Sequence, residues 1–492
     1  MTRRVVVSAW LGFALAALFF YPLADALRGD IYYLQWQFTD VVETGTALIL
    51  LAPALACVVF VAWRRPTRRA TAALVVASAI PLASLAAGVS RELPFEDVLR
   101  GAWENRALRL ALPAAVAGFI AFAFVLRPES FGRWFRRLLI LVSPVSLVVV
   151  ASIATSVRNG APIVTVERAS GAGEAGGRTC APLLALLFDE LSFSYLYNEA
   201  GNVRPEFPEI GRLGAAATHY GAVAAPGGET LNALPSFLAA RPVRDIEIHG
   251  ADLMELTDDG RLVRFSAAGP DGLFATARRL GFRTEMAGYY LAYCDVLAEV
   301  VDACQSLSLY NAASGRERFS PVDPVLTTLV LWPRQFPFGL LKNPPFAAHQ
   351  RDMVARTAAF AGRPVRGERP VFRFVHFSVP HMPFVFDGEG YNPPFDPLQT
   401  VPDAAYRRQL RYVDRLVGDL LGTLRRNGTF DGTTIVILAD HGYRFGEGER
   451  DPLHIPFIVK APGQQDRVVV DASLRGESLL KQVLEGSCRT PP

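Results

Sequence analysis

The stretch ILADHGYRFGEG (Ile437 to Gly448) closes an apolar run with Asp440 and His441 side by side. Adjacent residues of a strand point to opposite faces. Where the strand stops and the chain turns, both side chains can converge on one point. A carboxylate and an imidazole together suit a divalent cation, Zn or Mn first, with Mg or Ca as alternatives. Three other junctions repeat the pattern. The apolar run ending at Phe188 leads into Asp189 and Glu190, and VFRFVHFSV (371–379) carries His376 and is followed by His381 in PHMPF. His454 opens HIPFIVKAPG, and four of the seven histidines fall at these junctions. Each has a plain alternative: Asp189 as a helix N-cap, His381 as a loop residue, His454 as a surface histidine, Asp440-His441 as a turn. Their joint occurrence favours a metal site. It supplies enough ligands for two ions about 4 Å apart, or for one ion plus substrate contacts.

A metal alone does not say what is transferred. In APGGETLNALPSFLAARP (225–242), Gly227-Gly228 permits a tight turn and the following residues can start a helix. Thr230 then lies near a helix N-terminus, where free N–H groups favour an anion. A threonine alkoxide held there can attack a phosphoryl or sulfuryl centre. The plain alternative is an N-capping threonine. Ser236 is a second hydroxyl, deeper in the helix and after Pro235. Arg444 is placed to contact an anionic group.

The elements that must position these residues read as strands at 181–188, 371–379, 433–438 and 454–463. Between the second and third lies YRRQLRYVDRLVGDLLGTLRRNG, with Leu410, Val413, Leu416, Val417, Leu420 and Leu421 at helical spacing. This alternation predicts an α/β domain, a mixed sheet with helices on both faces. In such sheets the chemistry sits beyond the C-terminal ends of the strands.

The first part of the chain differs. Of 492 residues 51% are apolar, and most of that excess lies before residue 158. Five apolar stretches, 5–25, 44–63, 70–89, 108–126 and 138–155, each approach the ~20 residues that cross a bilayer. They predict a five-helix transmembrane domain over 1–157, a linker over 158–179 and an extracytoplasmic domain over 180–492. Arg3, Arg4, RRPTRR (64–69) and RPESFGRWFRR (127–137) put the N-terminus and two connections on the cytoplasmic side. An odd number of spans then leaves the C-terminal domain outside, periplasmic or extracellular, on a multi-pass protein of the inner (plasma) membrane. Ala24-Asp25-Ala26 offers a signal-peptide alternative that leaves the domain on the same side. A net charge of +3 gives no footprint for nucleic acid. The five cysteines fit no zinc motif. Outside the cytoplasm Cys180, Cys294, Cys304 and Cys488 can pair in three ways. LAYCDVLAEVVDACQSL reads as a helix, and ten helical residues separate Cys294 and Cys304 by about 15 Å, too far to bridge unless the helix breaks.

The motif set has an acid after the first strand, a hydroxyl at a helix start, an HxP segment, then DHG and a closing H-I-P-F before a PG turn. It resembles the sulfatase-like branch of the alkaline phosphatase superfamily over roughly 180–465. With the multi-span N-terminus, the chain looks most like membrane-anchored phosphoethanolamine transferases and lipoteichoic-acid synthases. The resemblance implies Asp189, Glu190, Asp440 and His441 as metal ligands and Thr230, five residues before Pro235, as nucleophile. It implies His381 and His454 at a second metal or the substrate phosphate. Departures accompany it. Sulfatases carry Cys or Ser, any residue, Pro, any residue and Arg; here that frame reads Ala233-Leu234-Pro235-Ser236-Phe237, which removes formylglycine chemistry. The transferases' cysteine-rich pattern around the threonine is also absent. The expectation is a metal-dependent transferase moving a phospholipid head group onto an envelope lipid or lipid-linked glycan. The rivals are a plain hydrolase (phosphodiesterase, phosphatase or sulfuric ester hydrolase) and a non-catalytic lipid-binding regulator.

Overall fold

The computed structural model describes residues 2–27, 38–64, 67–91, 118, 122, 124–155, 165–167, 179–249, 252–257, 259–307, 319–335, 344–365, 367–392, 402–446 and 448–489. The chain forms two compact units. One gathers the N-terminal helices together with Tyr310–Pro345, and the other is built mainly from Pro162–Leu309 and Phe346–Pro492.

The first unit contains α1 (Thr2–Phe19), α2 (Tyr21–Ala26), α3 (Phe38–Arg64), α4 (Arg68–Arg91), α5 (Pro128–Val142) and α6 (Val145–Thr155). Among the described residues, three helices are long and apolar enough to cross a membrane: Phe38–Arg64, Arg68–Ala86 and the α5–α6 pair, Pro128–Thr155. Five spans are therefore not what the described residues show. The stretch at 5–25 is divided between α1 and the short α2, and α1 is largely covered by its neighbours, with Leu15, Ala16 and Ala17 buried. The stretch at 108–126 lies almost entirely outside the described residues. α1 packs closely on α3 because Gly12 has no side chain: a Cβ there would stand 2.5 Å from the Ala56 nitrogen. Small residues permit such backbone approach between apolar helices. Leu11, Leu15, Val59, Leu74, Phe131 and Phe135 form the core of this unit. The sequence reading assigned 310–345 to the C-terminal domain. Here the helix Asp323–Gln335 packs instead against α2, α3 and α4, and the Ser320 N–H donates to the buried Glu43 carboxylate of α3 at 2.6 Å.

The second unit is organised by a ten-stranded mixed sheet: β1 (Thr165–Glu167), β2 (Leu183–Phe188), β3 (Thr218–Ala224), β4 (Arg283–Tyr289), β5 (Ala303–Leu307), β6 (Val371–Phe377), β7 (Thr434–Ala439), β8 (His454–Ile455), β9 (Phe457–Lys460) and β10 (Val468–Arg475). Its order is β1-β5-β4-β6-β2-β7-β9-β3-β8, with β10 also on β3. The centre, β5-β4-β6-β2-β7, is parallel, and the flanks β1, β9 and β8 are antiparallel. Every residue of β2, β6 and β7 is buried. Continuous apolar runs such as LLALLF belong to parallel strands covered on both faces. Phe188, Phe377 and Ala439 are level in the register, so the chain leaves β2, β6 and β7 at one height on one edge.

Two further readings are corrected here. The 158–179 stretch, read as a free tether, contains β1, which pairs antiparallel with β5; an open strand edge offers unpaired amide and carbonyl groups to any extended segment. The supposed helix around Cys294 breaks: a short helix covers Tyr293–Val296 and β5 begins at Ala303. The turn between them brings the cysteines together in a Cys294–Cys304 disulfide, Cα to Cα 5.5 Å. Cys180 pairs with Cys488, joining the two ends of this unit across 308 residues.

Candidate active site and metal centre

The aligned exits of β2 and β7 bring Asp189, Asp440 and His441 together, with one ligand atom of each lying within 4.8 Å of the others. All three are buried, at 1%, 0% and 0% exposure. Asp440 is held by backbone: its Oδ1 accepts the N–H of Glu190 at 3.0 Å and of His441 at 2.8 Å. Its Oδ2 is buried with no hydrogen-bond partner. The Nδ1 of His441 is 2.9 Å from the Gly442 carbonyl. That carbonyl can only accept, so the proton sits on Nδ1 and Nε2 is left as a lone-pair donor toward the cluster.

Burial, then the neighbouring Asp440 and Glu190 carboxylates, push the Asp189 carboxyl well above the usual carboxylate range. Burial also opposes ionisation of Asp440, but the His441 and His376 imidazoles and the Glu190 N–H outweigh it and hold its carboxyl low. Crowded acids with orphaned oxygens fit a cation, because a cation relieves the repulsion and supplies the missing partner. Asp189, Asp440 and His441 would hold it.

Thr230 is the first residue of the helix Thr230–Ala239. Its Oγ1 lies 3.5 Å from Asp189 Oδ1 and 3.4 Å from His441 Nε2. The first N–H groups of a helix lack internal partners and carry partial positive charge. A hydroxyl at this point therefore sits between the acids and a positive helix end. Ser236 is excluded as a rival nucleophile, since its Oγ donates into backbone carbonyls of Asn232 (2.8 Å) and Val243 (3.2 Å) and accepts the Val243 N–H.

The remaining expected residues divide. Glu190 is fully buried, but one of its oxygens pairs with Arg444 at 3.0 Å while the other has no partner. Its backbone is left-handed, φ 62°, and Tyr406 clamps its carbonyl at 2.6 Å. Arg444 is thus engaged by Glu190, with Glu229 3.7 Å away. His381 stands beside the cluster: its N–H donates to the Asp189 carbonyl at 3.1 Å, and its Nδ1 is 2.7 Å from the Met382 carbonyl. His454 is not brought to the cluster. Its ring stacks on Phe193 at 3.8 Å, and its Nε2 bonds the Gly221 carbonyl at 2.8 Å. The reason is local: the strand read as one piece from His454 is two short strands, and His454 pairs with Ala224 of β3.

Three further residues stand at this site, of which the sequence marks only His376, and without a role. Tyr289, the last residue of β4, donates its hydroxyl to Asp189 Oδ2. His376 on β6 lies with Nε2 3.9 Å from the same oxygen, buried and unpartnered. Burial pushes its imidazole down to about 4, so it is neutral near pH 7. Tyr293, after the bend that follows β4, holds His376 Nδ1 at 2.7 Å. Gly288 gives these groups room: a Cβ there would stand 2.7 Å from the Tyr293 ring and 3.0 Å from His376 Cβ. A strand ending in Tyr289-Tyr290 at the same edge was the available signal, missed because β4 itself was not recognised.

The Sulfatase family profile matches residues 183–484, more than half of the chain. Among solved structures, the chain is 16% identical to the PsFucS1 sulfatase from Pseudoalteromonas sp., covering 63% of this chain and 67% of that one, with a TM-score of 0.41. It is 14% identical to BT1596, a 2-O GAG sulfatase, covering 64% and 72%, TM-score 0.42. It is 14% identical to the phosphonate monoester hydrolase of Agrobacterium radiobacter, covering 62% and 73%, TM-score 0.39. No curated protein matches. On the family match, which spans β2, the Thr230 helix and the DHG turn alike, the chain belongs to the sulfatase family of the alkaline phosphatase superfamily.

Proposed function

We propose that the protein is a membrane-anchored transferase that moves a phospholipid head group onto an envelope lipid or glycan through a covalent Thr230 intermediate. One observation carries the reading: a buried threonine hydroxyl at a helix N-terminus, 3.5 Å from one metal-type ligand and 3.4 Å from another. The formylglycine frame is empty at Ala233, which is buried and has no reactive atom. Two disulfides fit an oxidising compartment outside the cytoplasm, and three apolar helices of spanning length fit a lipid donor.

A divalent cation bound here would supply Lewis-acid polarisation of the ester and a lowered pKa for the hydroxyl. The chain does the rest. Asp189 Oδ1 is the nearest carboxylate to the Thr230 hydroxyl, at 3.5 Å, and can take its proton. Thr230 Oγ1 forms the new P–O bond, and as the old P–O bond breaks the lipid alkoxide takes up the proton held by Asp189 and leaves as the alcohol. The free amides of the first helical turn face the charge that develops on the transferring oxygens. His376, with its outward nitrogen unpartnered, is the side chain placed to donate to them. An acceptor hydroxyl then attacks the same phosphorus and restores Thr230; water in that place gives a hydrolase, the second reading.

The test is intact-protein mass spectrometry after incubation with a head-group-labelled phospholipid. A mass adduct on the peptide containing Thr230, absent in Thr230→Ala with its metal retained, is the expected result. Undiminished turnover by Thr230→Ala removes the proposal. Label recovered only as free head group, with acceptor supplied, favours hydrolysis.

A further inference from the structure

The first unit contains a cavity of about 620 Å³ between α3, α4 and the 321–329 segment. Small-molecule sites span roughly 300–1,000 Å³. Every lining residue is Ala, Val, Leu, Ile, Phe or Pro. A buried water needs two to four polar partners, and these side chains provide none, so the space suits an apolar guest. Its origin is in the sequence. Pro53 inside α3 and Pro81 inside α4 each remove a helical hydrogen bond, the usual cause of a kink. Ala54 and Ala77 on the walls leave the resulting gap unfilled. Pro321, Val322, Val325 and Leu329 form the remaining wall, fixed to α3 by the Ser320–Glu43 hydrogen bond. Leu50 and Val76 line the cavity and are 64% and 74% exposed, on helices of spanning length. The cavity is thus continuous with an apolar surface of the kind that meets hydrocarbon.

From this continuity, the all-apolar lining and the volume, we infer that the cavity takes one acyl chain of a glycerophospholipid. The inference rests on the reading of a phospholipid donor. The 321–329 wall lies in the sequence between β5 and β6.

The test uses the full chain in lipid nanodiscs and a diacyl phospholipid carrying a diazirine midway along one acyl chain. Photolabelling is expected to concentrate on peptides covering 47–55, 76–81 and 321–329, and to fall several-fold in Ala54→Phe and Ala77→Phe, each of which fills the space. Labelling spread evenly over the outward faces of all three spanning helices, Pro128–Thr155 included, overturns the inference, and the wild-type map decides this even if a variant misfolds. A second readout is the ratio of kcat/KM for long-chain over dibutanoyl phospholipid. It is expected to drop about tenfold in the filled variants, the effect of roughly two methylenes losing burial; an unchanged ratio counts against the subsite. Focused labelling without turnover of any phospholipid supports the cavity and removes the transfer reading. Turnover with diffuse labelling does the reverse.

Discussion

Tyr293→Phe removes one oxygen from a fully buried ring and probes how the site fixes a proton. Burial, then the Asp440 and Asp189 charges, hold the Tyr293 phenol well above its ordinary range, so it stays protonated and donates. His376 Nδ1, 2.7 Å away, must accept, which leaves the imidazole proton on Nε2. That nitrogen is the one facing Asp189 at 3.9 Å. Without the phenol, Nδ1 is an unsatisfied buried acceptor, a cost of about 1–3 kcal/mol. The ring can relieve that cost by moving its proton to Nδ1, but Nε2 then cannot donate to a transferring oxygen. If about 1.4 kcal/mol of this appears in the transition state, kcat falls about tenfold. The assay is steady-state turnover of a head-group-labelled phospholipid by the metal-loaded full chain, with metal content and melting temperature measured alongside. The expected pattern is a tenfold lower kcat, an unchanged KM and full metal occupancy. A kcat within twofold of wild type with a lowered melting temperature would mean that Tyr293 only packs, and the tautomer argument fails. Opening the Cys294–Cys304 disulfide beside it, by Cys304→Ser, should act in the same direction, because the bridge fixes the Tyr293 turn to β5.

Other consequences are separable. Asp414 accepts the N–H groups of Ile210 (2.8 Å) and Glu209 (3.2 Å), yet burial lifts its carboxyl from 3.8 to about 6. A carboxyl raised on folding contributes fully at low pH and loses that contribution as pH rises through the folded value. Wild-type urea midpoints should therefore fall between about pH 4 and 6 relative to Asp414→Asn; parallel profiles would refute this. Arg373 is 0% exposed and pairs with Glu285 at 2.7 Å, so Arg373→Ala strands a buried carboxylate and should cost about 3–5 kcal/mol in urea unfolding. Joint replacement of Cys180 and Cys488 by Ser releases a 308-residue closure, worth roughly 6 kcal/mol in the chain-entropy account, and should lower the melting temperature without changing kcat. Chelation should abolish turnover and Zn or Mn should restore it, read by activity and elemental analysis.

The sequence was most legible where one physical rule acted alone. LLALLF and TTIVIL are apolar runs of strand length, and both are central strands. The 402–426 helix was visible in its 3.6 period, and its six named apolar positions are buried. Asp189, Thr230, Asp440 and His441 stand out in the sequence because strand ends and a helix start mark positions where chemistry can collect, and the structure brings these four together. β4 and β5 were missed because RTEMAGY and ACQSL carry polar residues that earn burial only through partners: Glu285 through Arg373, and Ser306 through the Cys294 N–H. Tyr289 and Tyr293 went with them, and His376, on the recognised β6, had no visible partner without them. The Cys294–Cys304 pair was misjudged for the same reason, since a helix was drawn through what is a turn into β5. His454 shows the opposite limit: its motif was legible, but the direction of its ring depends on Phe193 and the Gly221 carbonyl, which no local pattern reveals.

The empty formylglycine frame and the occupied Thr230 are two statements about one helix. Ala233 lies three residues after Thr230, about 4.5 Å further along the axis, and is fully buried. At that depth its N–H already bonds the Glu229 carbonyl at 2.9 Å, as does that of Asn232 at 3.1 Å. Amides so used cannot also steady an anion. Thr230 and Leu231 stand ahead of the first intrahelical bond, where amides are still free. A nucleophile at the first helical position therefore gains donors that a nucleophile one turn deeper lacks. On this argument, moving the hydroxyl down the helix in Thr230→Ala/Ala233→Ser should leave the metal bound and the protein folded, yet give no covalent adduct.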